Sequence, residues 1–155
     1  MSEIEARYEK KETRLVQERN DFLLPQIRDF VVTKQWLNLR PEYQRRLVWD
    51  KRKKSRFIES LLMNVPIPPV FLYEVNLSRY EVMDGQQRLN AILEFYENTL
   101  TLTGLAECAV LNGFRYSDCP PLIQRALARS DWRFLVGRGS GWPIVPPVRS
   151  ALKTQ

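Results

Sequence analysis

The chain has 155 residues, 44% hydrophobic and 11% aromatic, enough to bury one core at the usual size of a single domain. No run approaches the roughly 18 apolar residues of a membrane span, and the opening residues are too charged for a secretory leader, so a cytoplasmic protein without a membrane partner is expected. Histidine is absent and the formal net charge is +6; this excludes histidine-based acid/base chemistry, His-ligated zinc and an HNH-type nuclease centre in these residues.

In chain order, Met1 to Asn20 mixes Glu3, Glu5, Glu9, Glu12 and Glu18 with Arg7, Lys10, Lys11, Arg14 and Arg19 and has few apolar residues. It is predicted to be an exposed helix or loose arm, residues 1–20, ahead of a folded domain over residues 21–136. Leu24, Ile27, Phe30 and Val31 recur at helical spacing, predicting a short amphipathic helix over Leu23 to Val32. Trp36 to Leu39 reads as a strand interrupted by Pro41.

Between Arg40 and Arg56 stand Arg40, Arg45, Arg46, Lys51, Arg52, Lys53, Lys54 and Arg56 against only Glu42 and Asp50, a local excess equal to the +6 of the whole chain. Such a patch suits phosphate or nucleic acid, and a solvated helix start accounts for the charge equally well. Phe57, Ile58, Leu61 and Leu62 predict a helix over Asp50 to Asn64, with Pro66 after its end. Its first turns are basic and so oppose the helix dipole; a bound polyanion is one explanation. Contacts to a DNA backbone are expected from Arg46, Lys51, Arg52, Lys53 and Lys54.

Pro66-Ile67-Pro68-Pro69 is a rigid connector, and Val70 to Tyr73 and Arg79 to Met83 read as strands. Asp84-Gly85 turns the chain into a helix over Gln87 to Tyr96, with Leu89, Ile92, Leu93 and Tyr96 on one face. Leu100 to Leu111 is open between strands and loop, Asn112-Gly113 offers a hairpin turn, and Pro120 to Ala128 reads as a helix begun by proline. From Gly137 the residues 137–155 crowd glycine and proline without a usable period; the expectation is a disordered tail or a truncated or frame-shifted stump. Cys108 and Cys119 have no second pair and read as reduced, packed thiols.

The chemistry is expected at the order strand, glycine turn, helix. A helix N-terminus leaves backbone N–H groups unpaired and adds positive partial charge, so such a turn can hold phosphate. Gly85 permits close approach or positive φ, Gln86 and Gln87 bring amide donors, and Arg88 brings a guanidinium fork. Asp84 either caps the helix or helps hold a metal ion that bridges phosphates. A second segment, Arg40-Pro41-Glu42-Tyr43-Gln44-Arg45, sets an aromatic, an amide and a guanidinium on a rigid turn; its plainer reading is a polar loop with Tyr43 on the core.

Pro41-x-Tyr43-Gln44-Arg45, Val48-Trp49, Ser55 to Leu62, Pro66 to Pro69, and Glu81 to Leu89 with Asp84-Gly85-Gln86-Gln87-Arg88 at its centre together resemble the N-terminal domain of GmrSD-type type IV restriction enzymes, from about Leu23 to about Leu135. The resemblance implies an α/β (α+β) fold like that of ParB and sulfiredoxin, a small mixed sheet with flanking helices. It implies that Asp84, Gly85, Gln86, Gln87 and Arg88 bind and hydrolyse a nucleoside triphosphate, with Tyr43, Gln44 and Arg45 as the companion motif. Asp84, Gln86, Gln87 and Arg88 are then the catalytic candidates, with Asp84 holding Mg2+. The implied partners are modified foreign DNA and an HNH-type nuclease domain or subunit, and a homo-oligomer stays open. Asn90 departs from the small hydroxyl residue common in the family. The alternative is a DNA-binding or regulatory module that binds nucleotide without turnover. Redox repair of the sulfiredoxin kind is disfavoured, because neither cysteine lies in the glycine turn.

Overall fold

The computed structural model describes residues 2–9, 16–39 and 48–138. Tyr43, Gln44, Arg45 and Arg46 lie outside the described residues, as does the tail from 139. The elements are α1 (Glu3–Glu9), β1 (Val16–Leu23), α2 (Leu24–Arg28) leading into a π-helical turn over Asp29–Thr33, β2 (Leu37–Asn38), α3 (Lys51–Leu62), β3 (Val70–Asn76), β4 (Arg79–Asp84), α4 (Gln86–Tyr96), α5 (Pro121–Ala128) and β5 (Asp131–Arg138). The strands make one mixed sheet in the order β1-β5-β3-β4-β2. β1 runs antiparallel to β5 and β3 to β4, whereas β3–β5 and β2–β4 are parallel. This is the α/β class that the resemblance implies.

One sheet face carries Val70 and Leu72 from β3, Val82 from β4, and Trp132, Phe134 and Val136 from β5; these join apolar residues of α2, α3, α4 and α5 in a single buried cluster. The helical periods read from Leu24 and Ile27, from Phe57, Ile58 and Leu61, and from Leu89, Ile92 and Leu93 are the positions that bury. No helix among the described residues is long and apolar enough to cross a membrane.

Three expectations differ from what forms. The charged opening was taken as a helix or loose arm, yet Val16 to Asn20 belong to β1 and pair residue by residue with β5. An edge strand tolerates such residues because one side meets water: Asp21 lies 3.6 Å from Arg133 across the pair, while Phe22 meets the Phe134 ring edge-on at 5.4 Å. β5 itself went unpredicted and runs through Gly137 to Arg138, past the anticipated start of the tail. The third concerns Asn112-Gly113, which makes no hairpin between strands. Gly113 (φ +87°) donates to Leu102 O at 2.7 Å, Leu102 N–H to Phe114 O at 2.9 Å, and the Asn112 amide is bound to both backbone groups of Leu105. Leu100 to Leu111 is thus an ordered loop that buries Leu100, Leu102, Leu105 and Leu111.

Two buried polar residues of α3 anchor that loop. Ser55 Oγ accepts from Thr103 N–H at 3.1 Å, and Glu59 Oε2 accepts from the N–H groups of Glu107 and Cys108 at 3.0 and 2.9 Å. They satisfy backbone donors that the loop's own irregular path leaves unpaired.

Candidate functional site

β4 ends at Asp84 and α4 starts at Gln86, so the whole connection is Gly85. Gly85 is the N-cap of α4 at φ +108° and ψ 10°, a conformation L side chains rarely adopt, and a Cβ there would stand 3.0 Å from Val70 Cγ2. Glycine is therefore required twice over, by dihedral and by space. Gly85 itself offers no side chain to cap the helix. The first intrahelical bond of the turn runs from Leu89 N–H to Gly85 O at 3.0 Å. The N–H groups of Gln86, Gln87 and Arg88 precede it and have no intrahelical acceptor.

Arg88 is fixed from three sides. One guanidinium nitrogen donates to the Pro68 carbonyl oxygen, another lies 3.8 Å from Asp84 Oδ2, and the guanidinium carbon sits 5.4 Å from the Trp132 ring centroid. Trp132 Nε1–H also donates to Pro68 O, at 2.8 Å. The side chain is only 13% exposed; burial pushes its pKa below the ordinary arginine value, and the Asp84 carboxylate offsets this only in part. A guanidinium held beside helix N-terminal N–H groups that have no intrahelical acceptor suits an anion.

The two glutamines diverge. Gln87 Oε1 accepts the Trp49 backbone N–H at 3.0 Å, whereas Gln86 Oε1 is buried without a hydrogen-bond partner among the described residues. Asp84 is the carboxylate at the turn, 35% exposed and facing Arg88. No three Cys, Asp or Glu residues gather as a metal cluster among the described residues. A lone carboxylate fits a magnesium ion that takes its other ligands from substrate phosphates and water.

The basic start of α3 sorts into distinct roles. Asp50 Oδ1 caps the helix by accepting Lys53 N–H at 2.8 Å, which offsets the unfavourable charge of the first turn. Lys54 Nζ lies 2.7 Å from Glu94 Oε2 and is 13% exposed. Arg52 lies across Gly104, where a Cβ would come 2.8 Å from Arg52 Cγ. Lys51 and Lys53 are exposed, with Lys53 Nζ 5.0 Å from the Trp49 ring centroid. Arg46 and the companion motif Tyr43, Gln44 and Arg45 lie outside the described residues.

The sequence reading overlooked Pro68 and Trp132. A backbone carbonyl has no sequence signature, but Trp132, Phe134 and Val136 alternate as a strand should. Beside Trp132 opens a groove of about 440 Å3 lined by Pro66, Ile67, Pro69, Ser130 and Asp131, among others. A smaller aromatic cavity of about 90 Å3, lined by Phe22, Phe30, Trp36, Tyr80 and Phe134 among others, includes none of the turn residues.

The sequence model of the GmrSD restriction endonuclease N-terminal domain matches residues 27–138, well over half of the chain. No curated protein and no solved structure matches.

Proposed function

The chain belongs to the GmrSD restriction endonuclease N-terminal domain family, which gives it a place in a DNA restriction system, and from that membership we propose that the Asp84–Arg88 turn binds and hydrolyses a nucleoside triphosphate. The observation that carries this reading is Arg88, a largely buried guanidinium held at the N-terminus of α4 by Asp84, Pro68 and Trp132. Phosphate oxygens accept from the N–H groups of Gln86, Gln87 and Arg88, and the closeness this needs is what Gly85 supplies. The Arg88 fork balances charge that builds on the transferred phosphoryl group, a glutamine amide orients the water, and no strong base is required. Asp84 would hold Mg2+ through its carboxylate; when bound, that ion supplies charge neutralisation at the phosphates. Tyr43, Gln44 and Arg45 complete the nucleotide site in this reading, and Lys51 and Lys53 offer the DNA backbone a charged face next to it.

In such a system the chain senses modified foreign DNA and an HNH-type nuclease domain or subunit cuts it, in a cytoplasmic complex whose stoichiometry the same purification reports. A second reading, nucleotide binding without turnover, is favoured by one observation: Asp84 faces Arg88 at 3.8 Å rather than standing free. The deciding experiment is a titration of the purified chain with ATP and GTP in Mg2+, with phosphate release followed with and without modified DNA, alongside Arg88→Ala. Turnover lost in that variant supports hydrolysis, and binding alone supports the regulatory module. A folded protein with no affinity for either nucleotide overturns both.

A further inference from the structure

Gln86 and Gln87 are identical in chemistry and adjacent in sequence, yet the fold uses them differently. Gln87 Oε1 accepts Trp49 N–H at 3.0 Å from 38 residues away; because a backbone N–H only donates, the amide oxygen is turned toward Trp49 and its NH2 group away. The Trp49 ring meets Phe57 at 5.9 Å, Phe57 meets Trp132 at 5.6 Å, and Trp132 lies 5.4 Å from the guanidinium carbon of Arg88. These contacts close a ring from Gln87 back to its own neighbour Arg88, through the entry to α3 and the start of β5. Gln86 has no such commitment, since its buried Oε1 has no hydrogen-bond partner among the described residues. Folded proteins rarely leave a buried acceptor unused unless a ligand or water meets it.

We propose that Gln87 is a positioning residue, pinning Trp49 to the turn, and that Gln86 is the glutamine that touches the nucleotide or its attacking water. The assignment of Gln86 rests on the nucleotide reading above; that of Gln87 does not. Trp49 follows Arg45 by four residues, so the latch fixes the chain just after the companion motif against the phosphate turn. Loss of the latch therefore weakens nucleotide binding while leaving the chemical step intact, and a residue that retains an acceptor oxygen restores it.

Three variants separate the roles: Gln87→Ala, Gln87→Glu and Gln86→Ala. Hydrogen exchange at the Trp49 amide is read by NMR on protein labelled with 15N-tryptophan, without nucleotide. Gln87→Ala should speed that exchange by about tenfold or more, since the amide's acceptor is gone. It should also raise KM for ATP or GTP several-fold, or Kd if the chain only binds, with kcat little changed; Gln87→Glu, which keeps an acceptor oxygen, should slow the Trp49 exchange again, while its charge beside the phosphates keeps KM high. Gln86→Ala should leave Trp49 exchange unaltered and lower kcat by about 10²-fold, the scale of misplacing the attacking group, or weaken affinity if the chain only binds. Unchanged Trp49 exchange in Gln87→Ala, exchange that Gln87→Glu does not slow, or a kcat-only defect in Gln87→Ala overturns the positioning role. Should the wild-type chain bind no nucleotide, the role of Gln86 falls with the nucleotide reading, while the exchange rates still decide whether Gln87 holds Trp49.

Discussion

Arg88 and Trp132 donate to the same acceptor, the carbonyl oxygen of Pro68, and the guanidinium carbon lies 5.4 Å from the indole ring centroid. The shared acceptor separates what Arg88 does for ligand binding from what it does for stability. In Arg88→Met the Pro68 oxygen still has its 2.8 Å bond from Trp132, and Asp84, 35% exposed, is left within reach of water. Removing one partner of a buried ion pair is costly when the other charge stays buried, and that cost is small here because the carboxylate left behind reaches water. Arg88→Met should keep its thermal midpoint within a few degrees of wild type, or above it, while nucleotide affinity falls by at least about tenfold, or 1.4 kcal/mol. Thermal unfolding and a nucleotide titration on the same preparation check this. A large loss of stability would make Arg88 a structural residue first.

Gly85 is the position where backbone geometry alone sets the sequence. Its φ of +108° and the 3.0 Å approach of a Cβ to Val70 Cγ2 act together, so Gly85→Ala should destabilise the chain by about 1–3 kcal/mol. For a chain of this size each kcal/mol is about 2–4 °C in Tm. Pairing it with Val70→Ala should recover part of the steric share of the loss and none of the dihedral share. Additive losses in the double variant would show that Val70 is not what the new methyl meets.

Where side chains of one period bury on one face, the sequence was enough to place the element: α3, α4 and α5 start within one or two residues of where they were read, and β3 and β4 likewise. β1 was hidden because an edge strand has little need of apolar residues, and Glu18, Arg19, Asn20 and Asp21 give no alternation to see. β5 alternates through Trp132, Phe134 and Val136, but its own Gly137 opens the glycine-rich run and hides the strand's end. At the site, the motif Asp84 to Arg88 was legible as types in order, and the two glutamines could not be told apart. Only the fold sets the Trp49 N–H against Gln87, because that contact spans two elements far apart in the chain.

The basic run from Lys51 to Lys54 looks uniform in sequence and is not uniform in space. Lys51 and Lys53 are exposed, whereas Lys54 is occupied by Glu94 at 2.7 Å. If this face meets a DNA backbone, Lys51→Gln and Lys53→Gln should each reduce the salt dependence of binding by about one unit of slope. Lys54→Gln should leave that slope unchanged and instead lower thermal stability modestly. Fluorescence anisotropy with a labelled duplex at several salt concentrations makes the comparison, and equal effects from all three lysines would contradict the division.

Tyr96 carries a buried hydroxyl with no hydrogen-bond partner among the described residues, its ring 5.0 Å from that of Tyr116. Burial, reinforced by Tyr116 and opposed by Arg28, raises its pKa far above the ordinary 10.0. An unmade buried hydrogen bond costs about 1–3 kcal/mol, and Tyr96→Phe removes the hydroxyl while keeping the ring. The variant should therefore be as stable as wild type or more so near pH 8. The pH dependence has a fixed sign. Below the unfolded-state value near 10.0 both states hold the phenolic proton and the group contributes nothing to the slope. Above it the unfolded chain ionises while the folded one does not, so wild type loses stability as pH rises toward the folded-state value. Urea midpoints of the two proteins should diverge above pH 10, with Tyr96→Phe the more resistant. Parallel loss in both, or a less stable variant near neutral pH, would mean that the hydroxyl has a partner after all.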